Sequence, residues 1–138
     1  MFSNSTKYAI RTIEYLLFNQ EKGKNTVGEL AEKLEIPQPY LSKVMQQLSK
    51  SGIISSTKGR GGGFYLSKEN MKRPLVDIVI CIEGQNVFKN CVLGLPNCSD
   101  KNPCLLHAHF KLFRESLEKS VCKESIRELL QANSDNLK

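Results

Sequence analysis

The sequence predicts a mostly α-helical fold with a small β-hairpin, followed by a long C-terminal helix. Three observations carry that prediction. Apolar residues recur at helical spacing in three short segments between Ala9 and Leu48. A glycine-rich stretch, Gly59 to Gly63, separates two β-prone runs. Leu106, Phe110, Phe113 and Leu117 then recur at spacings of four, three and four residues.

The first helix is expected from about Thr6 to Asn19, on Ala9, Ile10, Ile13, Leu16 and Leu17. Thr26 and Glu29 have the T-x-x-E spacing of a capping box. A second helix therefore starts after Thr26 and stops near Glu35, with Leu30, Ala31 and Leu34 on its apolar face. Ile36-Pro37-Gln38-Pro39 turns into a third helix, because proline is tolerated where backbone N–H groups lack intrahelical partners. That helix is expected from about Gln38 to Lys50, ending at Gly52, with Tyr40, Leu41, Val44, Met45 and Leu48 inward. Two helices and a tight turn in this order make a helix-turn-helix.

Ile53 to Lys58 and Phe64 to Leu66 are the arms of a hairpin with a glycine-rich tip, placed where a wing would follow. Lys68 to Arg73 reads as a polar, basic stretch. Pro74 opens a further helix on Leu75, Val76, Ile78, Val79 and Ile82, which Gly84 ends. Residues 85–104 follow no period. A long helix is expected from Leu105 to Leu117 or a little beyond, then a short one with Ile126, Leu129 and Leu130, and a frayed tail from Ala132 to Lys138. The fold read from these elements is a winged helix-turn-helix (residues 1–84), a cysteine-rich loop (85–104), and a dimerisation helix with a C-terminal cap (105–138).

Charge assigns a task to the first unit. Residues 1–73 hold twelve Lys or Arg against six Asp or Glu, whereas residues 74–138 hold eight of each. All of the net charge of +6 therefore lies in the first half, as in a nucleic-acid-binding domain joined to a neutral assembly domain. The outward face of the third helix centres on Ser42, Lys43 and Gln46, with Pro39 beside it and Gln47 at its edge. No acidic residue lies between Gln38 and Gly52. Glutamine can bond adenine in bidentate fashion, and lysine can donate to guanine or phosphate. Lys58, Gly59, Arg60 and Gly61 equip the wing to approach a DNA backbone, with Arg60 able to enter a minor groove. The glycines do not form a nucleotide-phosphate loop, since no helix follows them directly.

The apolar strip Leu106, Phe110, Phe113, Leu117 would be a liability on a monomer, so it is read as a homodimer seam. No apolar run is long enough to span a bilayer, the longest being Leu75 to Ile82, interrupted by Asp77. Asn4, Ser5, Thr6 and Lys7 give the N-terminus no signal-peptide pattern, and a cytoplasmic location is expected.

Five cysteines without a secretion signal argue against a disulfide framework. Cys81 and Cys122 stand in helical patterns and are read as small apolar residues. Cys91, Cys98 and Cys104 have six and then five residues between them, and His107 follows one helical turn after Cys104. Three thiolates and one imidazole suit an iron–sulfur cluster or zinc. Zinc knuckles pair cysteines two to four residues apart, and the wider spacing here favours an iron–sulfur cluster, with zinc as the alternative. His109 points from another face of the helix and is not expected to be a ligand.

These residues together resemble the IscR–NsrR–RirA family of small iron–sulfur winged-helix regulators. The likeness begins at Ser5 to Arg11 and continues through Pro39-Tyr40-Leu41, Leu48, Gly59 to Phe64, Asp77, Ile80, Glu83 and Gly84. It ends in the three cysteines and the helix after them. The resemblance implies a homodimer through the long helix, double-stranded DNA as partner, and a redox-sensitive cluster on Cys91, Cys98 and Cys104 that controls DNA binding. His107 matches the fourth ligand of the iron–sulfur-assembly branch. There are two departures. The first cysteine spacing is one residue wider than in that branch. Lys7 stands where the nitric-oxide-sensing branch has a ligating carboxylate near the start of the first helix, so that ligation would need another acid such as Glu14. A 2Fe–2S cluster is preferred to 4Fe–4S. Cluster-free members of the family also exist.

The function expected is a transcriptional regulator, a repressor, with no enzymatic activity, no small-molecule substrate and no membrane partner. The alternatives are a zinc-stabilised or cluster-free DNA-binding regulator, and an iron–sulfur electron carrier, which would need neither the basic helix nor the wing.

Overall fold

The computed structural model describes residues 2–133, without the side chains of Leu129, Leu130 and Asn133. α1 (Asn4–Phe18) begins two residues before the expected Thr6, because the Ser3 side chain accepts from the Thr6 amide and caps the first turn. A short 3-10 turn over Gln20–Lys22 follows. α2 (Val27–Leu34) starts on the Thr26 cap, whose hydroxyl accepts from the Glu29 amide. It ends on Glu35 at φ 55°, a left-handed conformation that sets the turn into α3. A side chain there costs about 1 kcal/mol relative to glycine.

α3 (Gln38–Lys50) lays Leu41, Val44, Met45 and Leu48 into the core, each almost fully buried. Each contributes roughly 1.5–3 kcal/mol by leaving water. Tyr40 departs from expectation: it is exposed. Its helical spacing to Val44 matches the apolar face, but it sits in the first turn of α3, where the exposed Pro37 and Pro39 flank it.

β1 (Ser55–Thr57) and β2 (Gly63–Tyr65) pair antiparallel, Ser55 with Tyr65, Ser56 with Phe64 and Thr57 with Gly63. Ile53 and Ile54, expected in the first arm, instead bury themselves in the core just before it. The hairpin is anchored from outside by Asn25. Its amide donates to the Phe64 carbonyl at 3.0 Å, and the Phe64 amide donates back at 2.7 Å. Gly63 makes this possible: it has φ 152°, and a Cβ there would stand 2.6 Å from the Asn25 oxygen.

The basic stretch after the hairpin is helical: α4 (Lys68–Lys72), with a reciprocal capping box between Ser67 and Asn70. Asn70 also donates to the Gly52 carbonyl and accepts from Ser55, tying α4 to the hairpin and to the end of α3. α5 (Val76–Glu83) ends at Gly84 as expected. α1, α2, α3, the hairpin, α4 and α5 close around one apolar cluster. Val76, Val79, Val87, Phe88 and Val121 form a second.

Residues 85–106 are turns and bends. α6 (His107–Lys123) starts later and runs further than expected. Its inner side presents the buried Arg114 and Val121 and the half-buried Leu117, which packs on the second cluster. α7 (Ile126–Asn133) returns to the first core through Ile126, whose amide donates to the Arg73 carbonyl. Ala132 is thus still helical. The expectations for Leu129, Leu130 and the tail beyond Asn133 lie outside the described residues. Among those described, no helix is long and apolar enough to cross a membrane.

Candidate metal centre and nucleic-acid interface

The loop after α5 brings three distant cysteines together. The sulfurs of Cys91, Cys98 and Cys104 all lie within 4.8 Å of one another, each half-buried. Cys91 and Cys104 are 3.7 Å apart. His107 Nδ1 stands 3.3 Å from the Cys98 sulfur, at the edge of this three-sulfur group. Two local features shape the loop. The Gly94 amide donates to the Cys91 carbonyl, and Ser99 and Asn102 exchange backbone hydrogen bonds.

The local field prepares Cys91 as a ligand. Backbone amide hydrogen bonding at Leu95, then at Leu93, with the neighbouring Cys98 and Cys104 thiols, draws its pKa down to about 7 against the opposing effect of burial. Cys98 moves the other way. A backbone amide contact at Cys104 favours its thiolate, but burial and the two facing thiols outweigh it, so its proton is held more tightly. Three sulfurs at this separation, with an imidazole nitrogen beside one of them, are a donor set that fits a zinc ion or an iron–sulfur cluster.

Two further side chains tie this loop to α6, and neither was visible in the sequence. Asp100 accepts from Lys111 and pairs with His107 Nε2, both at 2.8 Å. Its carboxyl is held down at about 2, by the hydrogen bond from Lys111 first and by His107 next. Buried Arg114 donates to the Asn90 carbonyl at 2.6 Å, immediately before Cys91. A charge run on a helix gives no hint that one arginine turns inward. His109 is exposed. Cys81 is half-buried and packs against the main core, with its sulfur 3.3 Å from the Ser51 hydroxyl, whereas Cys122 is exposed, contrary to its reading as a small buried apolar residue.

Pro39, Lys43, Gln46 and Gln47 stand exposed on α3, with Ser42 half-buried among them. Lys58, Gly59, Arg60 and Gly61 are exposed at the hairpin tip. The strip expected on α6 divides. Leu106 and Phe113 are exposed, joined by Leu105 and Leu112, whereas Phe110 and Leu117 are half-buried on the inner side. Phe110 and Phe113 meet edge to face with ring centres 6.3 Å apart.

The profile of the Rrf2 family, described as iron-dependent transcriptional regulators, matches residues 2–132. The chain belongs to the Rrf2 family. It is 32% identical to a putative HTH-type transcriptional regulator of Aquifex aeolicus, over 99% of this chain and 96% of that one. It is 23% identical to the HTH-type transcriptional regulator IscR of Photorhabdus laumondii, over 90% of this chain and 75% of that one. Two solved structures share the fold. The cysteine regulator CymR of B. subtilis superposes with a TM-score of 0.72 at 17% identity, covering 96% of this chain and 97% of its own. T. potens IscR does so with a TM-score of 0.71 at 19% identity, covering 100% of this chain and 91% of its own. This Rrf2 protein is therefore a DNA-binding transcriptional regulator and not an enzyme, with a winged helix-turn-helix, a C-terminal long helix, and three cysteines placed to hold a metal.

Proposed function

We propose that this Rrf2 protein is a homodimeric cytoplasmic repressor whose affinity for its operator is set by an iron–sulfur cluster on Cys91, Cys98, Cys104 and His107. The single observation that carries the reading is the convergence of the three sulfurs within 4.8 Å, with His107 Nδ1 3.3 Å from one of them. A 2Fe–2S cluster suits a set of four ligands of which one is histidine. When bound, such a cluster supplies a one-electron couple tuned by its ligands and their hydrogen bonds.

The chain's own residues do the rest. Ser42, Lys43, Gln46 and Gln47 on α3, with Pro39 at its start, read the major groove, and Lys58 to Gly61 hold the wing against the backbone. Residues 1–84 form the DNA-binding unit, 85–104 the sensing loop and 105–138 the assembly arm. Phe113 and Leu112 on the outer face of α6, with Leu105 and Leu106 just before its start, pack against a second copy, and Phe110 and Leu117 support that face from within. Because the loop runs directly into α6 and is tied to it by Asp100–Lys111 and Asn90–Arg114, ligation fixes where α6 starts. The spacing of two DNA-binding heads follows from that start.

Iron and acid-labile sulfide, measured per chain after anaerobic purification, test the ligand set. Wild type should carry both. Cys98→Ser should lose them, because a hydroxyl substitutes poorly for a thiolate, while Cys81→Ser and Cys122→Ser should keep them. Zinc without sulfide in wild type would replace the cluster by a structural zinc site.

A further inference from the structure

Asp100 lies outside the ligand set, yet its two oxygens reach two successive turns of α6. Oδ1 is 2.8 Å from His107 Nε2, and Oδ2 is 2.8 Å from Lys111 Nζ. His107 and Lys111 are four residues apart and share one face of the helix. A carboxylate only accepts hydrogen bonds, so Nε2 is the ring nitrogen that carries the proton. In a neutral imidazole the lone pair is then on Nδ1, the atom turned to the Cys98 sulfur at 3.3 Å. The ring is enclosed, with 12% of its side chain exposed, while Asp100 is 67% exposed. An open side chain is thus bound at both oxygens, and the histidine it touches is the one beside Cys98.

We propose that Asp100 is the positioning residue of the metal centre: held by Lys111, it fixes His107 with Nδ1 facing the Cys98 sulfur and makes that nitrogen a stronger donor to iron. The inference rests on His107 being the fourth ligand. The physical basis is general. A carboxylate on the far nitrogen of a ligating histidine sets its tautomer and orientation and raises its basicity, and loss of such a partner weakens metal affinity about 10–100-fold. A weaker donor stabilises the oxidised state less, so the reduction potential rises, by about 59 mV for each tenfold difference between the two states.

The test uses the full chain, loaded with iron and sulfide without oxygen, as wild type, Asp100→Asn, His107→Cys and the double variant. Asp100→Asn should lose iron to a competing chelator about 10–100-fold more readily and show a raised potential. In the His107→Cys background there is no ring to orient, and adding Asp100→Asn should change neither quantity. Unchanged retention and potential in Asp100→Asn would overturn the proposal. Equal shifts in both backgrounds would also overturn it, since they would mark simple charge or loop stapling. Pulsed EPR of the reduced cluster gives a second readout that does not depend on the cysteine variant. The histidine-nitrogen coupling of wild type should change in Asp100→Asn, and an unchanged coupling counts against the proposal. Wild type with a cluster but no nitrogen coupling would instead remove His107 as a ligand, and so defeat the reading beneath.

Discussion

Phe113→Ala should weaken self-association while leaving each chain folded. Phe113 is 54% exposed in the single chain. A phenylalanine buries about 150–250 Å² in total, so about 100 Å² is left for a partner to cover. At about 25 cal/mol per Å² that is about 2.5 kcal/mol per chain. A two-fold axis counts the residue twice, about 5 kcal/mol per dimer. Ordering the interface takes back part of this, so a loss of about 100–1,000-fold in dimer affinity is expected. Sedimentation equilibrium over a concentration series measures it, with circular dichroism as the check on folding. Phe113→Asp should go further and leave monomers, because it would place an unpaired charge in an apolar seam. A variant that dimerises as tightly as wild type, or a wild type that stays monomeric at high concentration, would refute the argument.

Three other outcomes follow from the fold. Gln46→Ala should cost about 1–3 kcal/mol on the preferred operator and little on random duplex, whereas Lys58→Ala should weaken both alike, as read by titration at fixed salt. Gly63→Ala should destabilise the hairpin, since its Cβ would meet the Asn25 backbone at 2.6 Å, and hydrogen exchange at Phe64 should quicken. Glu83 accepts from the Ser3 amide and the Thr6 hydroxyl; burial alone would raise its pKa, but these hydrogen bonds outweigh it and hold it below 4.5. Its contribution to stability is therefore present above the unfolded value and fades as pH falls through the folded one, so Glu83→Gln should flatten the acid limb of a pH-denaturation curve.

Much of the DNA-binding unit was legible in the sequence. Thr26 and Glu29 announced the start of α2, and the period of Leu41, Val44, Met45 and Leu48 announced the core face of α3. Periodicity could not tell that Tyr40, one turn before Val44, stays outside, because the first turn of a helix ends where the core ends. It missed α4 as well, whose capping box carries Asn70 rather than a glutamate. On α6 the spacing of Leu106, Phe110, Phe113 and Leu117 found an apolar strip but not its division. Which ridge turns inward depends on the second cluster against which Leu117 and Val121 pack. The cysteines and His107 could be named from spacing and chemistry. Asp100 and Arg114 could not, since their roles exist only once an aperiodic loop has closed on α6.

The most direct test of cluster control is operator affinity measured on one anaerobic preparation, before and after gentle removal of iron and sulfide, at a single salt concentration. If ligation by Cys91, Cys98, Cys104 and His107 fixes the start of α6, and so the placement of the two DNA-binding heads, affinity should change by about 5–150-fold between the two states. Identical affinity in the loaded and cluster-free protein would contradict that control, leaving a metal centre without a part in DNA recognition.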